Sequence, residues 1–275
     1  MMKTSQAVGM FLDSRLSKMV SPETIRAYTW ALEKMESRYP ELPDSPNDMQ
    51  QFFIDNSGLS HASLLSLWRR LRTFWTWADE EGIAPNLMSR TPAPRVRRKL
   101  PRTLTSPEVH RLLASADNER DYAILAVLLD TGMRLGELES MTKDGLGPDY
   151  IRITGKTGDR IVPVLPSVLE LVNKQGDERG IWIGRQGRLT AWGLQLIVRR
   201  CMEKAGFRPP KIGPHTLRHT FGLQYVVNGG DPFSLKRIMG HQDIESTMIY
   251  VNMSTELVAQ QHRKFSPMAG IDAAD

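Results

Sequence analysis

The chain has 275 residues, 40% hydrophobic and 24% charged, with a net charge of +5; this is the balance of a globular protein long enough for two domains of ~100–200 residues each. A single cysteine, Cys201, excludes a disulfide framework and a thiolate metal site, and it reads as packing within a helical run. No stretch approaches the ~20 apolar residues of a membrane span, and Asp13 with Arg15 interrupts the N-terminal segment as a signal peptide, so the expected setting is a reducing cytoplasm and the expected partner a polyanion.

The first ninety residues read as four helices. The first covers about residues 4–19. Ser21-Pro22-Glu23 opens the second with an N-cap, a proline at the first helical position and an acid in the first turn. Ile25, Tyr28, Leu32 and Met35 follow at helical spacing. Ser45-Pro46-Asn47-Asp48 repeats the start signal, and Ser60 opens a longer run with Leu64, Leu67, Leu71, Phe74 and Trp75 on one face. A small helical bundle over residues 1–88 is the expected result. Residues 89–102 carry three prolines, with Arg95, Arg97, Arg98 and Lys99 among their basic residues and no acid. Such a segment is stiff and extended, and its charge suits a strap along phosphates as well as a linker.

Residues 103–275 are mixed. Thr105-Ser106-Pro107-Glu108 starts a helix, and "DYAILAVLLDTG" is a strongly apolar one ending at Gly132. "YIRIT" and "RIVPVL" read as strands flanking the turn "GKTGD", with "IWI" as a third strand. Helices are expected at about 190–205, 214–228, 232–239, 244–252 and 254–265, with Gly206 and Gly240 as stops.

Reactive groups gather in short segments of this second half. "TGMRLGEL" sets Arg134 three residues before Glu137, within reach along one helical face. "GKTG" puts Lys156 at a hairpin tip, an ordinary exposed position when taken alone. "HTLRH" holds His215, Arg218 and His219; the periodicity does not choose which histidine faces a ligand. "MGHQDIESTMIY" adds His241 and, nine residues later, Tyr250.

Together and in this order, these segments resemble the tyrosine recombinase family, the phage-integrase and Xer-like site-specific recombinases. The resemblance runs over the whole chain and is strongest in "TGMRLGEL", "GKTGDRIVPVL", "GPHTLRHTFG" and "MGHQDIESTMIYV". It implies a mainly α protein with a small antiparallel β-sheet: a helical, SAM-like core-binding domain, the basic linker, and an α+β catalytic domain. It implies Tyr250 as nucleophile among Arg134, Lys156, His215, Arg218 and His241, with Glu137 supporting and His219 left to packing or support. "TKDGLGPDY" departs from the family's usual approach to the first strand, and the chain looks like the minimal two-domain form.

The chemistry fits those residue types. Two guanidiniums can hold the non-bridging oxygens of a phosphodiester through forked, charge-assisted bonds. His215 would donate to the same phosphate or help take the tyrosine proton, and His241 would be a second donor. Nearby arginines should ease the ionisation of Tyr250, whose ordinary pKa is ~10. Lys156 would protonate the departing 5′ oxygen. The resemblance implies a 3′-phosphotyrosyl intermediate, so that no cofactor and no metal are expected. The partner implied is double-stranded DNA at a specific site, held by a homo-tetramer on synapsed DNA. Arg69, Arg70, Arg72, Arg95, Arg97, Arg98 and Lys99 are the candidates for phosphate contacts, and the amphipathic C-terminal helix would pack in cis through Leu257 and Val258 or dock on a neighbouring protomer. The competing readings are a type IB topoisomerase-like enzyme and a catalytically silent DNA-binding regulator; retention of both Lys156 and Tyr250 argues against the latter.

Overall fold

The computed structural model describes residues 2–95, 100–155, 158–177, 180–209, 212–253 and 255–268. They form two compact units, Met1–Arg98 and Lys99–Asp275. Lys156, Arg97, Arg98 and Lys99 lie outside the described residues. Among the described residues no helix is long and apolar enough to cross a membrane.

The N-terminal unit contains α1 (Thr4–Ser17), α2 (Pro22–Arg38), α3 (Pro46–Asp55) and α4 (His61–Glu80). Two of the expected serine caps act as such: Ser45 accepts from the Asn47 N–H and Ser60 from the Ser63 N–H. Ser21 stands at the N-cap position, but its hydroxyl pairs with Thr24 Oγ1 at 3.0 Å. The core is aromatic. Phe11 is wholly buried with Tyr28, Phe74 and Trp77 edge-on around it, ring centroids 5.1–5.5 Å away. Such edge-to-face contacts add ~0.5–1.5 kcal/mol each beyond area burial. The first residues of the basic segment pack here too. A 3₁₀ turn over Leu87–Arg90 buries Leu87 and Met88, and Trp68 Nε1 donates to the Thr91 carbonyl at 3.1 Å.

The second unit is built around α6 (Glu119–Thr131), whose residues Ala123–Leu128 are all buried. That explains its near-continuous apolar run. α5 (Ser106–Ala114), α8 (Pro166–Asn173), α9 (Ala191–Lys204) and α10 (Pro214–Val227) pack against it. β1 (Tyr150–Gly155) and β2 (Gly158–Pro163) pair antiparallel, with Ile151 opposite Val162 and Ile153 opposite Arg160. "IWI" is not a third strand of this pair. Trp182 is buried and donates its indole N–H to the Leu138 carbonyl at 2.8 Å, and only Ile183 enters a separate ribbon, β3 (Ile183–Gly184) with β4 (Gly187–Arg188). α7 (Leu135–Ser140) follows α6 closely. α11 (Pro232–Met239), α12 (Glu245–Val251) and α13 (Thr255–Phe265) complete the order. α10, α11 and α12 share a small cluster of Val226, Leu235, Met239 and Tyr250.

Candidate active site

Two helix ends and one strand assemble the site. α6 stops at Gly132, in the left-handed region at φ 61°, and α11 stops at Gly240, at φ 62°. Both stops leave C-terminal carbonyls free, and a helix C-terminus carries partial negative charge that attracts cations. Two arginines use them. Arg218, on α10 and 6% exposed, donates to the Gly132 carbonyl and, at 2.8 Å, to the Met239 carbonyl. Arg134 donates to the carbonyls of Met239 and Gly240 at 3.5 and 3.3 Å. The two guanidiniums thus converge on one carbonyl. Burial and then the Arg134 charge lower the Arg218 pKa to about 10, which still leaves it protonated at neutral pH.

Glu137 braces Arg134, as the three-residue spacing suggests, but from the start of α7. Arg134 stands one residue before α7, at its N-cap position, and its backbone N–H donates to Glu137 Oε2 at 2.7 Å. Its guanidinium reaches Oε1 at 3.2 Å. The stronger partner comes from a strand rather than from α7. Arg160, on β2, donates to both Glu137 oxygens at 2.6 and 2.9 Å and to the Ile238 carbonyl at 3.2 Å. Burial pushes the Glu137 carboxyl up, but the bonds from Arg160 and the Arg134 N–H, with both positive charges, hold it below the ordinary value. A Cβ at Gly240 would stand 2.9 Å from the Arg160 guanidinium, so glycine there serves close approach as well as the turn.

Tyr250, on α12, is 2% exposed. Its hydroxyl lies 3.0 Å from His219 Nδ1, and the His241 ring stacks on its ring at 15° with centroids 6.5 Å apart. Gly222, one turn along α10, makes room for it: a Cβ there would meet the tyrosine ring at 2.6 Å. The arginines do not win at this hydroxyl. Burial raises the Tyr250 pKa; Arg218 and Arg134 lower it, the direction expected of them, but offset only part of the rise. His241 is anchored by a 2.8 Å bond between its Nδ1 and the hydroxyl of buried Thr247, and burial followed by the Arg218 and Arg134 charges lowers its pKa to about 4. His215 stands at the exposed rim, one turn from Arg218; partial desolvation, then Arg218 and Arg134, lower its pKa. His219 is lowered by burial, then by His215 and Arg218. All three histidines are therefore biased toward the neutral form.

The structure brings Arg134, Glu137, His215, Arg218, His219, His241 and Tyr250 into one neighbourhood and adds Arg160 and Thr247. The signal for Arg160 was its place inside "GKTGDRIVPVL", next to the hairpin turn. Among the described residues no three His, Cys, Asp or Glu side chains form a metal-holding group. In the N-terminal unit, Arg69 and Arg72 line one cleft of about 490 Å³ with Arg15, and the Arg72 guanidinium lies 5.4 Å over the Trp68 ring. Arg70 is separate from them, folded back onto the Ser66 carbonyl at 2.9 Å. Arg95 is exposed in a segment without regular structure.

Known proteins resemble this chain in sequence and in fold. The model of the phage integrase family matches residues 102–256. Tyrosine recombinase XerD of Listeria monocytogenes is 29% identical over 283 residues, covering 91% of this chain and 94% of that protein. Tyrosine recombinase XerC of Erythrobacter litoralis is 28% identical over 294 residues, covering 98% and 96%. The Tn1549 transposon integrase, solved with transposon right end DNA, has a similar fold at TM-score 0.78 and 19% identity, over 96% of this chain and 100% of that one. A lambda integrase dimer bound to a COC′ core site gives TM-score 0.74 and 19% identity, over 89% and 97%. With the family model matching more than half of its residues, including every residue placed around Tyr250, the chain belongs to the phage integrase family, as a tyrosine recombinase.

Proposed function

We propose that this tyrosine recombinase cuts and rejoins double-stranded DNA at a specific site through a 3′-phosphotyrosyl link to Tyr250. The observation that carries the reading is the convergence of Arg134 and Arg218 on the Met239 carbonyl beside the pocket that holds Tyr250. A scissile phosphate placed there presents two non-bridging oxygens to two anchored guanidiniums, and donors preorganised in this way are commonly the largest catalytic contribution. His215 and His241 add donors to the same oxygens. Lys156 serves as the acid for the leaving 5′ oxygen, and the link conserves bond energy for religation without a nucleotide cofactor. Arg69 and Arg72 hold backbone phosphates from the N-terminal unit. The working assembly is a homo-tetramer on synapsed DNA in the cytoplasm, in keeping with a lambda integrase tetramer solved on a Holliday junction, a relative in fold at 19% identity.

The test begins with a sequence enriched by binding from a random duplex pool, rebuilt as a nicked duplex that traps the covalent intermediate. Wild type should give a protein–DNA band on a denaturing gel, in excess chelator as well. Tyr250→Phe should bind the duplex with unchanged affinity and give no band. A band persisting in Tyr250→Phe would move the nucleophile elsewhere.

A further inference from the structure

The nucleophile needs a proton acceptor, because burial holds Tyr250 in its neutral form. The three site histidines differ in exposure and in hydrogen-bond partners. His215 is at the rim, and the Nδ1 of His241 is committed to Thr247. His219 Nδ1 stands 3.0 Å from the Tyr250 hydroxyl. From this geometry we infer that His219 is the catalytic base that takes the tyrosine proton, and the acid that returns it on religation. The inference rests on the phosphotyrosyl reading above and reassigns a residue whose expected role was packing or support.

The step balances without another reactant. The Tyr250 O–H bond breaks as the oxygen–phosphorus bond forms, and the proton passes to His219 Nδ1. The bond from phosphorus to the 5′ oxygen breaks, and that oxygen takes a proton from the leaving-group acid. Religation runs the same transfers in reverse. His219 must therefore begin as the neutral tautomer with its proton on Nε2 and a lone pair on Nδ1. The surroundings favour that form. Burial, then His215 and Arg218 on α10, lower its pKa, while Arg134 bears on the neighbouring His241 and Tyr250 and Asp243 bears on His241. Burial and the Arg218 guanidinium that serves the phosphate thus also keep His219 unprotonated. The imidazolium formed in the reaction would be destabilised by them until phosphate charge develops, which ties proton transfer to attack on phosphorus.

The experiment measures single-turnover formation of the covalent complex on the nicked duplex defined above, from pH 5.5 to 9.5. Wild type should rise as His219 loses its proton, with a midpoint below the ordinary 6.5, and then level off. His219→Asn keeps a hydrogen-bonding atom near the Nδ1 position but has no basicity. It should be ~10²–10⁴-fold slower at pH 7, with the rate climbing about tenfold per pH unit as hydroxide substitutes for the base. His219→Ala should regain rate at pH 7 on addition of free imidazole. DNA affinity and melting temperature of the Asn variant report its folding. A His219→Asn rate equal to wild type would reduce the residue to a hydrogen-bond partner, and a defect equal at every pH, with no imidazole rescue in His219→Ala, would make its role structural; either result overturns the inference. Both leave the phosphotyrosyl reading intact, provided that wild type forms its adduct and Tyr250→Phe does not. If wild type itself forms no adduct on Tyr250, that reading fails first.

Discussion

Replacing Arg160 by alanine strands a carboxylate inside the catalytic unit. The Arg160 and Glu137 side chains are 12% and 7% exposed and share two short charge-assisted bonds. Removing one partner of a pair buried to this degree costs ~3–5 kcal/mol, because the remaining charge keeps its desolvation penalty. Arg134 still donates to Glu137, but it is 40% exposed and its guanidinium bond is longer, at 3.2 Å. The expected loss is therefore at the lower end, about 3 kcal/mol. For a unit of this size that corresponds to a melting temperature lower by ~6–12 °C at pH 7. The pH dependence has a definite sign. The folded Glu137 pKa is depressed, so the pair's contribution is fully present above the unfolded value of 4.5 and is lost as pH falls through the folded value. The gap between wild type and Arg160→Ala should accordingly close in acid. Arg160→Met combined with Glu137→Gln should recover part of the stability, since no charge is left buried, yet cleave poorly because Arg134 loses its brace. Melting curves from pH 3.5 to 8 and covalent-complex rates test both parts. A shift within ~1 °C at pH 7, or a gap that does not change with pH, would refute the reasoning.

Three further outcomes follow from named contacts. Gly222→Ala drives a Cβ to 2.6 Å from the Tyr250 ring; overpacking of this kind costs ~1–3 kcal/mol, and covalent-complex formation should fall while duplex affinity stays, whereas an unchanged rate would show that the ring shifts freely. Lys156→Ala should be ~10²–10⁴-fold slow on normal DNA but close to wild type when the bridging 5′ oxygen is sulfur, because a thiol of pKa ~8.5 leaves without an acid; Arg134→Ala and Arg218→Ala should not be fully rescued, and the reverse pattern would reassign the acid. Arg69→Ala and Arg72→Ala should each flatten the log–log salt dependence of duplex binding by ~0.9, and Arg70→Ala by less, since its guanidinium already serves Ser66; equal effects at all three would make the helix face, rather than the cleft, the contact.

What could be read from the sequence depended on where each element finds its partners. Helices whose starts are satisfied locally were legible. Ser45 and Ser60 cap their own N-termini, so the signal and its hydrogen bond lie within three residues. α8 was missed because it has no polar cap: Leu165 occupies the N-cap position, and its N–H is satisfied by Asp130 at 2.9 Å, thirty-five residues away in the chain. "IWI" misled because a buried tryptophan between two isoleucines has the same composition as a strand, while the fate of its indole N–H was set by α7.

The same distinction divides the site. Arg134, Arg218, His241 and Tyr250 were legible as an ordered set, since each sits at a helix boundary or on a helix that its neighbours in sequence define. Nothing in the local spacing singles out Arg160 on its short hairpin, and it is inward because Glu137 arrives from another element to receive it. His219 and His215 are one turn apart on the same helix, and spacing gives no reason to prefer either. The choice is made by α12, which sets the Tyr250 hydroxyl against His219 and is admitted there because position 222 lacks a side chain. Burial and charge also act on this site in opposite senses, and only the packing determines which prevails. The arginines pull the tyrosine toward ionisation, but their charge is already partly spent on Glu137 and the helix-end carbonyls, while the ring is 2% exposed. Desolvation therefore dominates, and the nucleophile rests protonated beside an imidazole that burial, His215 and Arg218 keep neutral.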